Sequence, residues 1–291
     1  MKQITVVGLG LIGTSLGLAL KQLKNPPRII GNDIQYDAAT RASKLKAVDK
    51  VERHLQDAVA NSEMVIVATP VGAIPEVLER IAESLQDGCV VTDTGSTKRV
   101  IVQRAEEILP DTVAFVGGHP MTGRATGGVD DPDASIFQNA VYCLTPSAAT
   151  PASAVSTVAA MVQEIGAQPY FTDPVEHDGL VAGVSHLPYL LSVALVRAVA
   201  GEPGWREMSA LAAGGFETVT RLASYDAGMY ADILATNGDN VARHLDRLVA
   251  ELGGLKARLL GGDREIRRDL EQAQRYRKEW EEQRRRAAAR M

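Results

Sequence analysis

A glycine-rich run near the start of the chain constrains its fold more than any other feature. The run VVGLGLIGTSLG places Gly8, Gly10 and Gly13 in the spacing GxGxxG, directly after an apolar strand-like segment and at the start of a helix-like one. In such a strand–turn–helix unit the first glycine permits a tight turn, the second lets the backbone approach a pyrophosphate, and the third brings helix against strand. The run therefore predicts a dinucleotide-binding βαβ unit, with a purely structural glycine turn as the alternative.

The residues around these glycines predict the remaining contacts to a dinucleotide. The N–H groups of Leu11 and Ile12 are expected to face the phosphates at the helix N-terminus. Asp33 ends the second apolar segment about 20 residues further on, where a carboxylate accepts ribose hydroxyls and disfavours a 2′-phosphate. Because no arginine follows Asp33 closely, NAD is favoured over NADP, and Thr69 and Pro70 are assigned to the same crevice by position alone. The predicted cofactor contacts are thus Gly8, Leu9, Gly10, Leu11, Ile12, Gly13, Asp33, Thr69 and Pro70.

The pattern of apolar residues changes character part-way along the chain. In the first half, short segments rich in Val and Ile alternate with amphipathic helix-like segments, which is typical of a parallel sheet covered on both faces. After residue 171 helical patterns follow, starting at Asp173, which suits a helix N-cap, and broken at Gly214-Gly215 and Asn237-Gly238. We therefore predict an α/β Rossmann-like domain over residues 1–171, an all-α domain over 172–262 and a charged helical tail over 263–291. The predicted strands cover residues 4–8, 28–33, 64–69, 89–94, 113–118, 140–145 and 168–171.

Composition and charge exclude several classes of protein. A formal net charge of −5 argues against a dedicated nucleic-acid binder, and acidic residues interleaved through the tail favour a solvated helix there over an RNA-binding segment. Cys89 and Cys143 lie in apolar runs without metal-ligand spacing, so buried, reduced thiols are expected. With no charged leader before residue 4, a cytoplasmic location is expected. The apolar run 180–201 carries His186 and Arg197, which favours a helix buried in a protein core or subunit interface over a membrane span.

The stretch GGHPMTGR, residues 117–124, presents His119 as a candidate base. Two glycines and a proline beside the histidine predict a loop. This stretch and DTGSTK, residues 93–98, each follow a predicted strand, so both are expected to open onto the dinucleotide crevice. Hydride removal from a secondary alcohol needs a group that takes the hydroxyl proton, and imidazole titrates in the right range. The chain has no lysine between Lys98 and Lys256, which counts against the lysine base of hydroxyacid dehydrogenases.

Five motifs together resemble a known family. VVGLGLIGTSLG, DTGSTK, GGHPMTG, EHDGLVAGVSHLPY and GGFETVTRLAS follow one another as in the prephenate and arogenate dehydrogenases of tyrosine biosynthesis, over about residues 1–255. The resemblance implies a Rossmann-like NAD-binding domain and a helical domain that forms a homodimer. It also implies oxidative decarboxylation of prephenate to 4-hydroxyphenylpyruvate and CO2, or of arogenate to tyrosine: hydride leaves C4, CO2 leaves C1, and the ring becomes aromatic.

Residue roles follow from the same resemblance. His119 matches the catalytic histidine that accepts a hydrogen bond from the C4 hydroxyl, and Ser96 the serine that hydrogen-bonds near it. Arg221 matches the arginine that holds the ring carboxylate, which suits its planar fork of donors. His186 matches a motif histidine that is either structural or supports the residues that touch the substrate, and it is counted with the predicted substrate-binding residues. Tyr230 stands where relatives often carry tryptophan and is expected to line the cavity wall.

Two departures from the family pattern bear on the substrate. Prephenate-specific relatives often read SHLPH, whereas this chain has Tyr189 in the last position. A phenol donates a hydrogen bond but carries no positive charge, so the choice between prephenate and arogenate stays open. In RATGG, residues 124–128, Arg124 is expected to face solvent rather than substrate. Thr122 and Gly123, from the histidine stretch, complete the predicted substrate contacts.

Alternatives to this function remain. Another Rossmann reductase, or an NAD-sensing regulator without turnover, would share the glycine run, but the set of Ser96, His119 and Arg221 argues for catalysis. The other histidines lack metal-ligand spacing, so no metal site is predicted; they are His54, His177 and His244, of which His177 has the stronger functional case through its EHDG motif.

Overall fold

Eight strands of the described part of the chain form one sheet in the order β3-β2-β1-β4-β5-β6-β7-β8. The computed structural model describes residues 1–122, 131–261 and 266–289. Neighbouring strands run parallel except β6 and β7, which are antiparallel. The strands are β1 Gln3–Val7, β2 Arg28–Asn32, β3 Lys50–Val51, β4 Met64–Val67, β5 Val90–Asp93, β6 Ala114–Pro120, β7 Val141–Thr145 and β8 Gln168–Phe171.

The central strands are apolar because both faces of the sheet are covered. Alternate residues of β4 enter different apolar clusters: Met64 and Ile66 pack on one face, and Val65 and Val67 on the other. The predicted parallel sheet is therefore correct for β1 to β6. β7 runs antiparallel to β6, a direction that leaves no local signature in the sequence. The two-residue β3 was missed because it contains no apolar run.

Helices connect the strands and make up the described chain after β8. Six lie between strands: α1 Leu11–Lys21, α2 Tyr36–Lys44, α3 Leu55–Val59, α4 Ile74–Ile81, α5 Arg99–Ile108 and α6 Ala152–Glu164. The others follow: α7 Pro174–Val181, α8 Leu187–Ala200, α9 Trp205–Leu211, α10 Gly214–Thr220, α11 Ala227–Gly261 and α12 Ile266–Ala289. A π-helical turn, Ala182–His186, joins α7 to α8. The backbone contacts divide the chain into Met1–Gly238 and Asp239–Met291, so the predicted boundaries at residues 171 and 262 stay predictions.

Local signals in the helical half act as predicted. The Asp173 carboxylate accepts hydrogen bonds from the N–H groups of Val175 (2.7 Å) and Glu176 (3.2 Å), which caps α7. Within α11 the backbone leaves helical geometry at Asn237, where φ is −135° and ψ is 22°, matching the predicted break.

The run Pro174–Ala200 is long and apolar enough, by length and composition, to cross a membrane, with a mean hydropathy of 1.7. In the structure its polar residues His177, Asp178 and His186 are buried and hydrogen-bonded to side chains or backbone of neighbouring elements. In the single chain, 28% of the 18-residue apolar window of this run is buried, so its place in a protein core or subunit interface stays a prediction.

The charged tail forms the helix α12, as its pattern predicts. Ion pairs one turn apart join Arg267 to Glu271 (2.8 Å) and Arg277 to Glu281 (2.9 Å). Such i,i+4 pairs support an exposed helix in water.

Candidate active site

His119 lies inside a strand, so the predicted loop is wrong. β6 continues through Pro120, and His119 pairs with Cys143 of the antiparallel β7. The histidine is therefore carried by the sheet itself, which holds a side chain more rigidly than a loop does.

The two glycines before His119 are required by close packing rather than by a turn. A Cβ on Gly117 would stand 2.3 Å from the Thr145 hydroxyl oxygen. A Cβ on Gly118 would stand 2.5 Å from the carbonyl oxygen of Asp93, at the end of β5. Glycine thus lets β6 approach its neighbours closely enough to carry His119 into the fold.

A chain of hydrogen bonds fixes the tautomer of His119. Its Nδ1 lies 3.0 Å from Nε2 of His177, whose Nδ1 lies 2.8 Å from an Asp178 carboxylate oxygen. That carboxylate also accepts the N–H groups of Lys98 (2.7 Å) and Arg99 (3.0 Å) at the start of α5. Because the carboxylate accepts throughout, His177 donates through Nδ1 and accepts through Nε2. His119 therefore donates from Nδ1 and keeps Nε2 as its basic nitrogen.

Burial keeps His119 neutral. The side chain is 8% exposed, and its pKa lies well below 6.5, first because burial disfavours the charged form and then because of His177, Lys98 and His186. An uncharged imidazole with a free Nε2 can accept a proton near pH 7.

An ion pair lies beside His119, with both side chains fully buried. The ammonium of Lys98 donates to the Asp93 carboxylate and to the carbonyl oxygen of Gly118 (2.7 Å). The other Asp93 oxygen accepts the N–H of Gly118 (3.0 Å). Burial lowers the pKa of Lys98, while the Asp93 carboxylate opposes that shift. Sequence reasoning assigned no role to either residue, although both belong to the DTGSTK motif.

His186 is a buried donor next to this cluster. Its Nδ1 accepts the side-chain amide of Asn237 (3.2 Å), which also donates to the Asp178 carbonyl oxygen (2.8 Å). The proton of His186 is then on Nε2, which is buried and has no hydrogen-bond partner among the described residues. Burial lowers the pKa of His186 to about 4, so the imidazole is neutral at pH 7.

Tyrosine rings join Arg221 to Tyr189. Arg221 donates to the Tyr225 hydroxyl (2.8 Å), and the Tyr225 ring centre lies 6.2 Å from that of Tyr230. Tyr230 in turn stacks on Tyr189, with ring centres 3.5 Å apart and planes within 5°. Burial raises the pKa of Tyr230 to about 12. The structure thus stacks Tyr189 on Tyr230 and adds Tyr225, which sequence reasoning missed. That these rings line the substrate cavity stays a prediction.

The remaining predicted substrate-site residues have no described hydrogen bond with His119. Ser96 lies in the loop after β5. Among the described residues, the side chain of Ser96 forms no hydrogen bond with that of His119. The Thr122 hydroxyl donates to the Ile136 carbonyl oxygen (2.6 Å), so its proton is already engaged. Gly123 and Arg124 lie outside the described residues.

The glycine run has the geometry that its spacing predicts. Gly8 has φ of +92°, and a Cβ there would stand 2.6 Å from the Ala68 carbonyl oxygen. A Cβ on Gly13 would stand 1.9 Å from the Gly8 carbonyl oxygen, whereas one on Gly10 would meet nothing within 4 Å. The turn is therefore pressed against the end of β4, next to Thr69, and open on the side of Gly10. The Thr69 hydroxyl oxygen is buried without a hydrogen-bond partner in the described chain.

Asp33 is one of the residues that line a pocket. Its carboxylate accepts the N–H of Leu9 (2.6 Å), which ties the glycine run to the end of β2. The pocket has a volume of about 630 Å³ and is also lined by Lys44 and Arg53, whose guanidinium lies 5.3 Å from the Tyr36 ring centre. An arginine thus stands near Asp33 in space although none follows it closely in sequence.

Comparison with known families decides the identity. Residues 16–171 match the model described as prephenate dehydrogenase, nucleotide-binding domain, and residues 173–273 match prephenate dehydrogenase, dimerization domain. The chain belongs to the prephenate dehydrogenase family. Membership confirms the family and the enzyme class predicted from the five motifs, together with the fold class of a Rossmann-like domain followed by helices.

Individual members of the prephenate dehydrogenase family are similar to this chain in sequence or structure over most of its length. Prephenate dehydrogenase of Bacillus subtilis (strain 168) is 36% identical over 255 residues, covering 87% of this chain and 69% of the relative. Cyclohexadienyl dehydrogenase of Zymomonas mobilis is 31% identical over 264 residues, covering 90% of each. The crystal structure of prephenate dehydrogenase from A. aeolicus in complex with hydroxyphenyl propionate and NAD+ has a TM-score of 0.88 and 27% identity, covering 96% of this chain and 98% of that one.

The described residues fit NAD. The open side of Gly10 leaves room for a pyrophosphate at the N-terminus of α1, where no side chain caps the first N–H groups. The Asp33 carboxylate, which accepts the Leu9 N–H, would bind the ribose hydroxyls of the adenosine half, and the buried Thr69 hydroxyl would be available to a ligand. In this member of the prephenate dehydrogenase family, the described residues include no group of three His, Cys, Asp or Glu side chains that could hold a metal ion.

Proposed function

We propose that this family member catalyses the oxidative decarboxylation of prephenate to 4-hydroxyphenylpyruvate and CO2, with NAD as its cofactor. The observation that carries the proposal is the series of hydrogen bonds from Asp178 through His177 to His119. It leaves Nε2 of the buried, neutral His119 imidazole available as a base. NAD, when bound, supplies the acceptor for the hydride that leaves C4 of the substrate.

His119 handles the proton of the reaction. Its Nε2 accepts a hydrogen bond from the C4 hydroxyl and holds that proton as the C4–H bond gives up its hydride. The C1–carboxylate bond breaks to release CO2, and its electron pair completes the aromatic ring. His119 then returns the proton to the C4 oxygen, which becomes the phenol hydroxyl of the product. As positive charge develops on His119, the hydrogen bonds to His177 and Asp178 stabilise it, because they end on a carboxylate.

Arg221 is assigned to the ring carboxylate of the substrate. The side chain is half-buried and spends one N–H group on Tyr225. A guanidinium has five N–H donors, so a fork remains for a carboxylate, and such a pair orients the substrate as well as binding it.

Arogenate is the second candidate substrate, and Tyr189 favours it. Its phenol stacks on Tyr230 and carries no positive charge toward a pyruvyl side chain. Initial rates with prephenate and arogenate, each with NAD and NADP, distinguish the two. We expect prephenate with NAD to give the highest kcat/KM, and a tenfold preference for arogenate would reverse the assignment.

Replacing the base tests the proposed chemistry directly. His119→Asn should bind NAD with unchanged affinity and lose about 10²- to 10⁴-fold in kcat, the usual effect of removing a positioned base. Turnover and NAD titration on the same preparation measure both quantities. Near-normal kcat would reject His119 as the base.

We also propose that the enzyme is a homodimer formed through its C-terminal helices. The model matched by residues 173–273 is described as a dimerization domain. Within that range the apolar Leu259 and Leu260 are 69% and 77% exposed in the single chain, and a second copy would cover such residues. The cytoplasmic location stays a prediction.

A further inference from the structure

The buried ion pair of Lys98 and Asp93 lies just beyond the point where β6 stops pairing with β5. The β5–β6 ladder ends at the pair Thr92–Val116, so beyond Val116 the backbone of β6 has no partner strand on that side. There the side chains of Asp93 and Lys98 bind the backbone of Gly118, the residue before His119, in place of a neighbouring strand. We propose that Lys98 and Asp93 are positioning residues for His119, because together they hold both backbone groups of Gly118. This proposal rests on His119 being the base.

The contacts are matched to that task. The Asp93 carboxylate accepts the N–H of Gly118 (3.0 Å), and the Lys98 ammonium donates to its carbonyl oxygen (2.7 Å). The ammonium and the carboxylate also bond to each other, which prevents either from swinging away. Gly118 is thereby fixed in position and in orientation, and the Cα of His119 with it.

Lys98 also supports His119 by a second route. Its backbone N–H donates to Asp178 (2.7 Å), and Asp178 holds the ring of His177 against His119. One residue therefore connects the backbone support of the base with the support of its ring. Misplacing a catalytic group by about 1 Å can cost about 10²-fold in rate.

Stability alone gives no reason to keep this pair. Two charges taken out of water cost more than their attraction returns in many proteins, and apolar side chains of similar volume often serve the fold as well. Lys98 and Asp93 are both fully buried, so this desolvation cost applies to both charges. Holding a peptide group by its N–H and its C=O, however, requires an acceptor and a donor at fixed positions.

The test removes both charges together, so that neither is left alone in the interior. The double variant Asp93→Asn with Lys98→Met should fold, bind NAD as the wild type does, keep KM for prephenate within a few-fold and lose about 10²-fold in kcat. The acid limb of kcat/KM should move to higher pH, because the Lys98 charge contributes, with His177 and His186, to the lowered pKa of His119, whereas the Asp93 charge that is lost with it does not. Lys98→Met and Asp93→Asn alone complete the series.

The matched control is Lys21→Met, which breaks the ion pair of Lys21 with Asp49 (2.7 Å) at the end of α1. It should leave kcat unchanged. A folded double variant with wild-type kcat and pH profile would overturn the proposal. Equal losses of kcat, NAD affinity and thermal stability would also overturn it, since they indicate general destabilisation. His119→Asn in the same series separates the two proposals: if it keeps turnover, the assigned base is wrong, whatever Lys98 does.

Discussion

His119 acquires its properties from residues far away in the sequence. A histidine in water titrates near 6.5, whereas this one is neutral because it is buried and because His177, Lys98 and His186 surround it. The motif GGHPMTG indicated which histidine to choose. The fold determines which of its nitrogens is basic, because His177 and Asp178 engage the other.

The role of His177 can be tested with a pair of variants. In His177→Gln the amide oxygen can still accept the Nδ1–H of His119, whereas His177→Leu offers no acceptor. We expect the Leu variant to have a kcat at least about tenfold below that of the Gln variant, with equal NAD affinity, because a lost buried hydrogen bond at a charged transition state costs about 1.5–3 kcal/mol. Steady-state kinetics at pH 7 measure the difference. Equal kcat values would contradict a tautomer-setting role.

We predict that the single carboxylate of Asp33 sets the preference for NAD over NADP. Asp33→Ala removes the group that repels a 2′-phosphate, while Arg53 and Lys44 still line the same pocket. The ratio of the NADP to the NAD dissociation constant should therefore fall by at least about tenfold, since one charged contact contributes about 1.5–3 kcal/mol. Fluorescence titration measures both constants, with Asp37→Ala on the exposed face of α2 as the control. An unchanged ratio would remove Asp33 from the site.

At the scale of elements, sequence patterns predicted correctly those strands and helix ends that are determined by residues close by in the chain. The apolar runs of β1 and β4 and the cap of α7 depend on neighbours a few residues away, and the sequence predicted all three. β6 was predicted too short, because GGHP disfavours a strand locally. Only the pairing with β7 and the Asp93–Lys98 pair extend it to Pro120.

The turn before α1 provides a matched pair of glycine variants. Gly13→Ala places a Cβ 1.9 Å from the Gly8 carbonyl oxygen, so α1 must move, and we expect a loss of about 1–3 kcal/mol in stability together with NAD affinity. Gly10→Ala meets nothing within 4 Å, so its melting temperature should stay unchanged while NAD binds more weakly. Thermal unfolding and NAD titration measure the two effects. Unchanged NAD affinity in Gly10→Ala would move the pyrophosphate away from that side of the turn.

At the scale of the whole molecule, buried neutral histidines link stability to pH. The pKa of His186 is lowered to about 4 in the folded chain, against 6.5 when exposed. Above pH 6.5 both states are neutral and stability is full. As the pH falls below 6.5 the unfolded chain takes up a proton that the folded chain refuses, so folding loses about 3 kcal/mol by pH 4 from this residue alone. The lowered pKa of His119 acts in the same direction.

This linkage predicts an acid-sensitive fold. The melting temperature should fall between pH 7 and pH 5 more steeply in the wild type than in His186→Gln, which has no proton to take up there. Circular dichroism during thermal unfolding at several pH values measures both slopes. Parallel slopes would show that His186 is not held neutral by the fold.

Glycine spacing, apolar alternation and motif order were enough to determine the dinucleotide-binding fold, the switch to helices and the family. Each depends on backbone geometry or burial over a few residues, which a sequence displays directly. The active-site arrangement was decided by tertiary contacts between distant positions: His119 and His177 are 58 residues apart, and Lys98 and Asp178 are 80 apart. No local pattern encodes such contacts. A proton's place on an imidazole, or a charge's partner in the core, is determined only once the sheet and the helices have brought those groups within hydrogen-bond distance.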